Sequence, residues 1–106
     1  MKINWVRNNS YIEFDNLETI RFSHDQDCCE ENYADFNQLD LEAYSYDFKQ
    51  PLRFEGVPGA GFRFGDEERM FFVPCYSEQN GCYSTEIEIL YNGNVVLNFD
   101  AEPRFY

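Results

Sequence analysis

The chain has 106 residues, which allows one domain with a modest core and leaves too little for two. Twenty acids against eight bases leave a net charge of −12, a field that opposes phosphate backbones and excludes direct nucleic-acid binding as the expected role. Met1-Lys2-Ile3-Asn4-Trp5 holds no apolar run of the signal-peptide kind and no segment reaches transmembrane length, so a cytoplasmic location, no membrane contact and reduced thiols are expected.

Ile3 and Trp5 alternate with Lys2 and Asn4, which predicts a half-buried first strand. Asn8-Asn9-Ser10 reads as a turn, Tyr11 to Phe14 as the returning strand, and Asp15-Asn16 as a second turn. Leu17 to Phe22 follows as a third strand with Ile20 and Phe22 on one face. The period then changes. Asp27 has the character of an N-cap, with Glu30 three residues on as in a capping box. Cys29, Tyr33 and Phe36 recur at helical spacing with Leu39 beyond, and this predicts a short helix over roughly 28–39. From Leu39 to Phe48 two alternations run out of phase, so a bulge or bend is expected between Ala43 and Tyr44.

The second half reads as an antiparallel meander. Leu52–Val57 and Phe62–Phe64 are strands around the turn Pro58-Gly59-Ala60-Gly61, and Asp66-Glu67-Glu68 is a charged turn. Arg69–Tyr76 is the most apolar run and reads as a central strand, with Pro74 at an edge or a bulge because proline cannot donate a ladder bond. Ser77 to Gly81 turns the chain back into Cys82–Tyr91. For the last hairpin a two-residue Asn92-Gly93 turn would set Ile87 opposite Asn98. A three-residue loop sets Ile87, Ile89 and Tyr91 opposite Phe99, Leu97 and Val95, and is preferred because it keeps apolar side chains on one face. Ala101 to Tyr106 reads as a loosely held end. The expected fold is one α+β domain, 1–106: an antiparallel sheet of about five to seven strands with one short helix packed on it. Its expected core is Trp5, Ile20, Phe22, Tyr33, Phe36, Phe71, Val73, Ile87, Ile89, Leu97 and Phe99.

Two stretches share a pattern. Asp27-Cys28-Cys29-Glu30 precedes the predicted helix, and Tyr76-Ser77-Glu78-Gln79-Asn80-Gly81-Cys82-Tyr83-Ser84 joins two predicted strands. Together they resemble a functionally uncharacterised family of small phage and bacterial proteins with a D-C-C-E box and an S-E-x-N-G-x-Y-S segment. The similarity spans roughly Asp25 to Tyr91 and departs at Cys82, where that family carries an aromatic. The resemblance implies a phage or mobile-element setting and brings no activity with it.

Three chemistries can be weighed. His24, Cys28, Cys29, Cys75 and Cys82 could supply soft metal ligands, but zinc sites use a C-x2–4-C knuckle and these cysteines are either adjacent or separated by six residues. Four small core hydrophobes is the competing reading, since free cysteine is among the most buried residue types. Asp25-Gln26-Asp27 starts like a calcium loop and lacks its glycine and distant glutamate. Catalysis has little footing: there is one histidine, no G-x-S-x-G and no phosphate loop, so no enzyme activity and no cofactor are expected.

The acidic run is the strongest functional lead. Asp25, Asp27, Glu30, Glu31, Asp35, Asp40, Glu42 and Asp47 fall between Phe22 and Phe48 without a single Lys or Arg. Such a run is either a solvated surface or a face that offers carboxylates as nucleic acid offers phosphates. The second possibility implies a basic protein as the partner. The competing functional reading is a small metal- or thiol-dependent module built on the Asp27-Cys28-Cys29-Glu30 box.

Overall fold

Two-residue periodicity builds nearly all of this molecule. The structure, a computed structural model, describes residues 1–7, 10–23, 31–81 and 83–105. In chain order its strands are β1 (Ile3–Arg7), β2 (Tyr11–Phe14), β3 (Thr19–Ser23), β4 (Glu31–Ala34), β5 (Arg53–Val57), β6 (Gly61–Gly65), β7 (Met70–Gln79), β8 (Glu86–Tyr91), β9 (Asn94–Asp100) and β10 (Glu102–Phe105). One sheet has the order β1-β2-β3-β8-β9; the other runs β10-β7-β6-β5, with β4 also paired to β7. Pairing is antiparallel throughout, except that β10 lies parallel to β7.

The core lies between the sheets and is made of rings. Ile12, Phe14, Ile20, Ile87, Ile89 and Phe99 of the first sheet are buried together with Phe62, Phe64, Phe71 and Val73 of the second. Phe14 meets Phe64, and Phe62 meets Phe99, each pair with ring centroids 6.4 Å apart. Phe48, from the connection between β4 and β5, fills the space between them at 5.7 Å from Phe14 and 5.5 Å from Phe64. Contacts of this kind add about 0.5–1.5 kcal/mol per pair beyond the area they bury.

The fold is mainly β, and the expected α+β arrangement with a packed helix is corrected. Within the predicted helix, Glu31–Ala34 is a strand and Phe36–Gln38 a single 3-10 turn; Cys28 to Glu30 lie outside the described residues. The buried positions are Asn32, Ala34 and Phe36, a period of two. Asn32 conceals that period in a reading based on apolar residues, because a polar side chain stands at an inward site. The out-of-phase stretch before Phe48 is a second 3-10 turn, Leu41–Tyr44, rather than a bent strand.

Trp5 is not in the core; it is 43% exposed. A register shift between Ile3 and Trp5 breaks the alternation of β1, so Ile3 is buried and Val6 packs against the core in place of the tryptophan. Phe22 and Leu97 are half-buried against the core, Tyr33 is half-buried, and the other seven expected core residues are buried. The last hairpin combines both registers considered for it. Ile87 faces Phe99 and Ile89 faces Leu97 as expected, but a bulge then resets the ladder so that Tyr91 faces Asn94 across a two-residue turn. Asn92 and Gly93 both take positive φ, 52° and 83°, as such a turn requires. Within the stretch expected to be a loosely held end, Glu102–Phe105 form β10, all four residues exposed.

β7 is central and changes partners at its proline. Gly61↔Pro74 is the last pair with β6, and Ala34↔Cys75 belongs to β4. Among the described strands Met70–Pro74 is laddered to β6 alone, so the missing N–H falls at a local edge of the expected kind, just where β4 joins, and the Pro74 carbonyl accepts from the Asp35 N–H at 2.8 Å. Gly61 allows the close approach: a Cβ there would stand 2.1 Å from the Val73 carbonyl oxygen. Gly61→Ala should therefore destabilise the protein by about 3 kcal/mol or more, read as a drop in denaturation midpoint. An unchanged midpoint would mean that β6 and β7 are not this close.

Candidate functional site

β4 brings part of the acidic run into a cavity of about 480 Å³ lined by Ser10, Phe22, Glu31, Tyr33, Asp35, Asn37 and Glu78. Glu31 and Glu78 are cross-strand partners on β4 and β7. Asp35 follows β4 directly and caps the first 3-10 turn, accepting from the Asn37 N–H at 3.2 Å and from the Gln38 amide at 2.7 Å. Tyr33 donates its hydroxyl to Glu78 Oε1 at 3.1 Å. Burial, with that hydrogen bond and the charge of Glu78 behind it, pushes the Tyr33 phenol up to about 12, so it stays protonated and keeps donating.

The remaining described acids of the run are engaged elsewhere. Asp40 caps the second 3-10 turn through the Glu42 N–H at 2.9 Å. Glu42 pairs with Arg69, and Asp47 lies 2.8 Å from the amino group of Met1, which holds its carboxyl below the usual range. Two further ion pairs, Arg53–Glu67 at 2.6 Å and Arg63–Glu55 at 2.5 Å, also lie outside the cavity. Glu31, Asp35 and Glu78 take part in none of these four ion pairs. Arg104 stands opposite Glu78 on β10 with its guanidinium 3.7 Å from the Tyr76 ring centroid. Asp25, Asp27 and Glu30 lie outside the described residues.

His24, Cys28, Cys29 and Cys82 are also outside the described residues. Among the described residues no group of three or more His, Cys, Asp or Glu side chains is placed to hold a metal ion. Cys75 is fully buried in the core, where burial pushes its thiol up to about 12. In a chain carrying serine at 28, 29 and 82, Cys75 should resist a thiol reagent at pH 8 and react only on unfolding. Rapid labelling of the native protein would mean that the sulfur is reachable.

Two polar centres went unread in the sequence, and both organise backbone. Asp66 is buried, and its carboxylate accepts from the Tyr46 hydroxyl at 2.8 Å and from the N–H groups of Lys49, Glu68 and Arg69 at 2.9, 2.9 and 3.0 Å. Burial alone would raise its pKa, but these donors outweigh it and bring it down to about 2. The signal was available: an aspartate leading a short charged turn is a frequent acceptor for the N–H groups two and three residues on.

The second centre is a buried chain of amides and hydroxyls. The Asn32 amide donates to the carbonyls of Ser84 and Glu86 at 3.0 and 3.1 Å, and its oxygen accepts from Ser77. Gln79 donates to Ser77 Oγ at 2.6 Å and accepts from the Tyr83 N–H at 2.8 Å. Four positions of the motif-bearing stretch Tyr76–Ser84 (Ser77, Gln79, Tyr83 and Ser84) are thereby tied to β4 or to one another, and Ser77 to Gln79 continue β7 instead of turning.

No family model, no curated protein and no solved structure matches this chain. Among the described residues no helix is long and apolar enough to cross a membrane.

Proposed function

We propose that this chain is a non-enzymatic acidic interaction protein that captures a basic protein partner at the cavity beside β4. The observation behind this reading is that Glu31, Asp35 and Glu78 line one concave surface and none of them is matched in the ion pairs that engage Glu42, Asp47, Glu55 and Glu67. Carboxylates without such a match keep their field, and at −12 that field steers cationic groups toward the surface. Phe22 and Tyr33 add apolar area against which the stem of a lysine or arginine can lie. The phage or mobile-element setting belongs to the same reading: a small acidic chain of this kind would act on a basic, nucleic-acid-binding protein of its host.

A lysine- and arginine-rich peptide titrated by calorimetry at low and moderate salt tests it. Binding should weaken as salt rises, and Glu31→Gln with Asp35→Asn should cost about tenfold in affinity, while Asp40→Asn should cost little. Equal losses at Asp40 and at the cavity would leave only a diffuse charge effect and sink the proposal.

A further inference from the structure

β10 is bound to the molecule by very little. All four of its residues are exposed, Phe105 by 66%, and its pairing with β7 is parallel. Pro103 brings no N–H to that ladder. Among the described residues its side chains reach the Tyr76 ring, with Arg104 at 3.7 Å from the centroid, and Gly81, with the Phe105 ring 3.7 Å from where a Cβ would stand. The base of the strand, by contrast, is fixed. Ala101 is buried and donates to the Thr85 carbonyl at 2.8 Å, and the Thr85 hydroxyl donates to Asp100 at 2.9 Å. Residues beyond Ala101 can therefore leave β7 without disturbing β9, and β7 would keep its ladders with β4 and β6.

The seat under β10 adjoins the acidic cavity. Arg104 stands opposite Glu78, and Glu78 is both the acceptor of the Tyr33 hydroxyl and a wall of the cavity. We propose that β10 is a displaceable strand occupying the partner's seat: an extended segment bearing an arginine pairs with β7 in its place and sets its cation between the Tyr76 ring and Glu78. This deepens the reading of the cavity as a basic-partner site and rests on it. The partner's chemistry is given by what β10 itself presents, an extended backbone, one guanidinium and a neighbouring aromatic.

The test uses the full chain and a synthetic peptide copying residues 100–106. Arg104→Ala removes the stacking contact that holds β10 and should let the peptide bind about tenfold more tightly than it binds the unaltered chain, because more molecules have the seat open. The same peptide with glutamate for its arginine should not bind. Equal affinity for both proteins, or binding to neither, overturns the proposal. Hydrogen exchange on the unaltered chain is the second measurement. The amides of Arg104 and Phe105 should exchange about a hundredfold faster than those of β6; equal protection would show that β10 does not open. If Glu31→Gln with Asp35→Asn leaves cationic binding intact, the cavity reading fails. If those variants lose binding while Arg104→Ala changes nothing, displacement alone fails.

Discussion

Replacing Asp66 by alanine is expected to destabilise the protein by on the order of 3 kcal/mol, seen as a fall in Tm of about 15 °C. The loss is large because one carboxylate serves four donors from three places: Tyr46, the backbone at Lys49, and the turn at Glu68 and Arg69. Without it three N–H groups and a hydroxyl lose their acceptor at the junction of the β6–β7 turn with the chain that follows the second 3-10 turn. The pH dependence has a definite sign. The folded pKa, about 2, lies below the ordinary carboxyl value, so the unfolded chain binds the proton first as pH falls. The stabilisation is complete above about pH 4 and is lost as pH drops from there through about 2. The chain as a whole responds to acid through many carboxylates, so the useful quantity is the gap between the unaltered protein and Asp66→Asn. That gap should be constant from pH 7 to 5 and narrow below pH 4. A gap that stays constant down to pH 2.5 would show that Asp66 is not held ionised by its donors.

Asn32→Asp is the second large effect, expected to cost on the order of 4 kcal/mol at neutral pH and more than Asn32→Ala. The two side chains have nearly the same shape, so packing does not explain the difference. The Asn32 amide points at two carbonyl oxygens, those of Ser84 and Glu86, and a carboxylate there would turn acceptor against acceptor in a buried site. Alanine leaves the carbonyls and Ser77 short of partners but adds no charge. Burial would hold the new carboxyl's pKa up in the folded state, so Asn32→Asp should regain part of its stability on acidification and Asn32→Ala should not. Denaturant melts of both variants at pH 7 and pH 4.5 decide it. If aspartate proves as benign as alanine, the buried network does not specify the joint between β4 and the β7–β8 connection.

These two sites also show where reading by residue type reaches its limit. The strands of the second half could be read from alternation, because Ile87, Ile89, Leu97 and Phe99 are apolar residues at inward positions and the pattern equals the burial. The same rule failed at β4. Asn32 is inward and polar, so the apolar residues nearby, Tyr33 and Phe36, fell into a spacing that fits a helix turn. It failed again at β1, where a single bulge moved Trp5 to the other face. In the candidate site Glu31 and Asp35 were named in advance, while Glu78 was assigned to a turn. Only the continuation of β7 past Tyr76 brings Glu78 opposite Glu31.

Composition and pattern alone determined a β-rich single chain with a ring-filled core, a strong negative field and an acidic stretch without a basic residue among its members. These depend on which residues are present and on local period, which any conformer of the chain carries. The tertiary structure decided which of the described acids enter ion pairs, that Asp66 and Asn32 are anchors, and that the last strand lies against β7 beside the cavity. Those outcomes depend on contacts between residues tens of positions apart, Asn32 with Ser77 or Glu78 with Arg104, and on whether a buried polar atom finds its partner; neither is encoded in the neighbours along the chain.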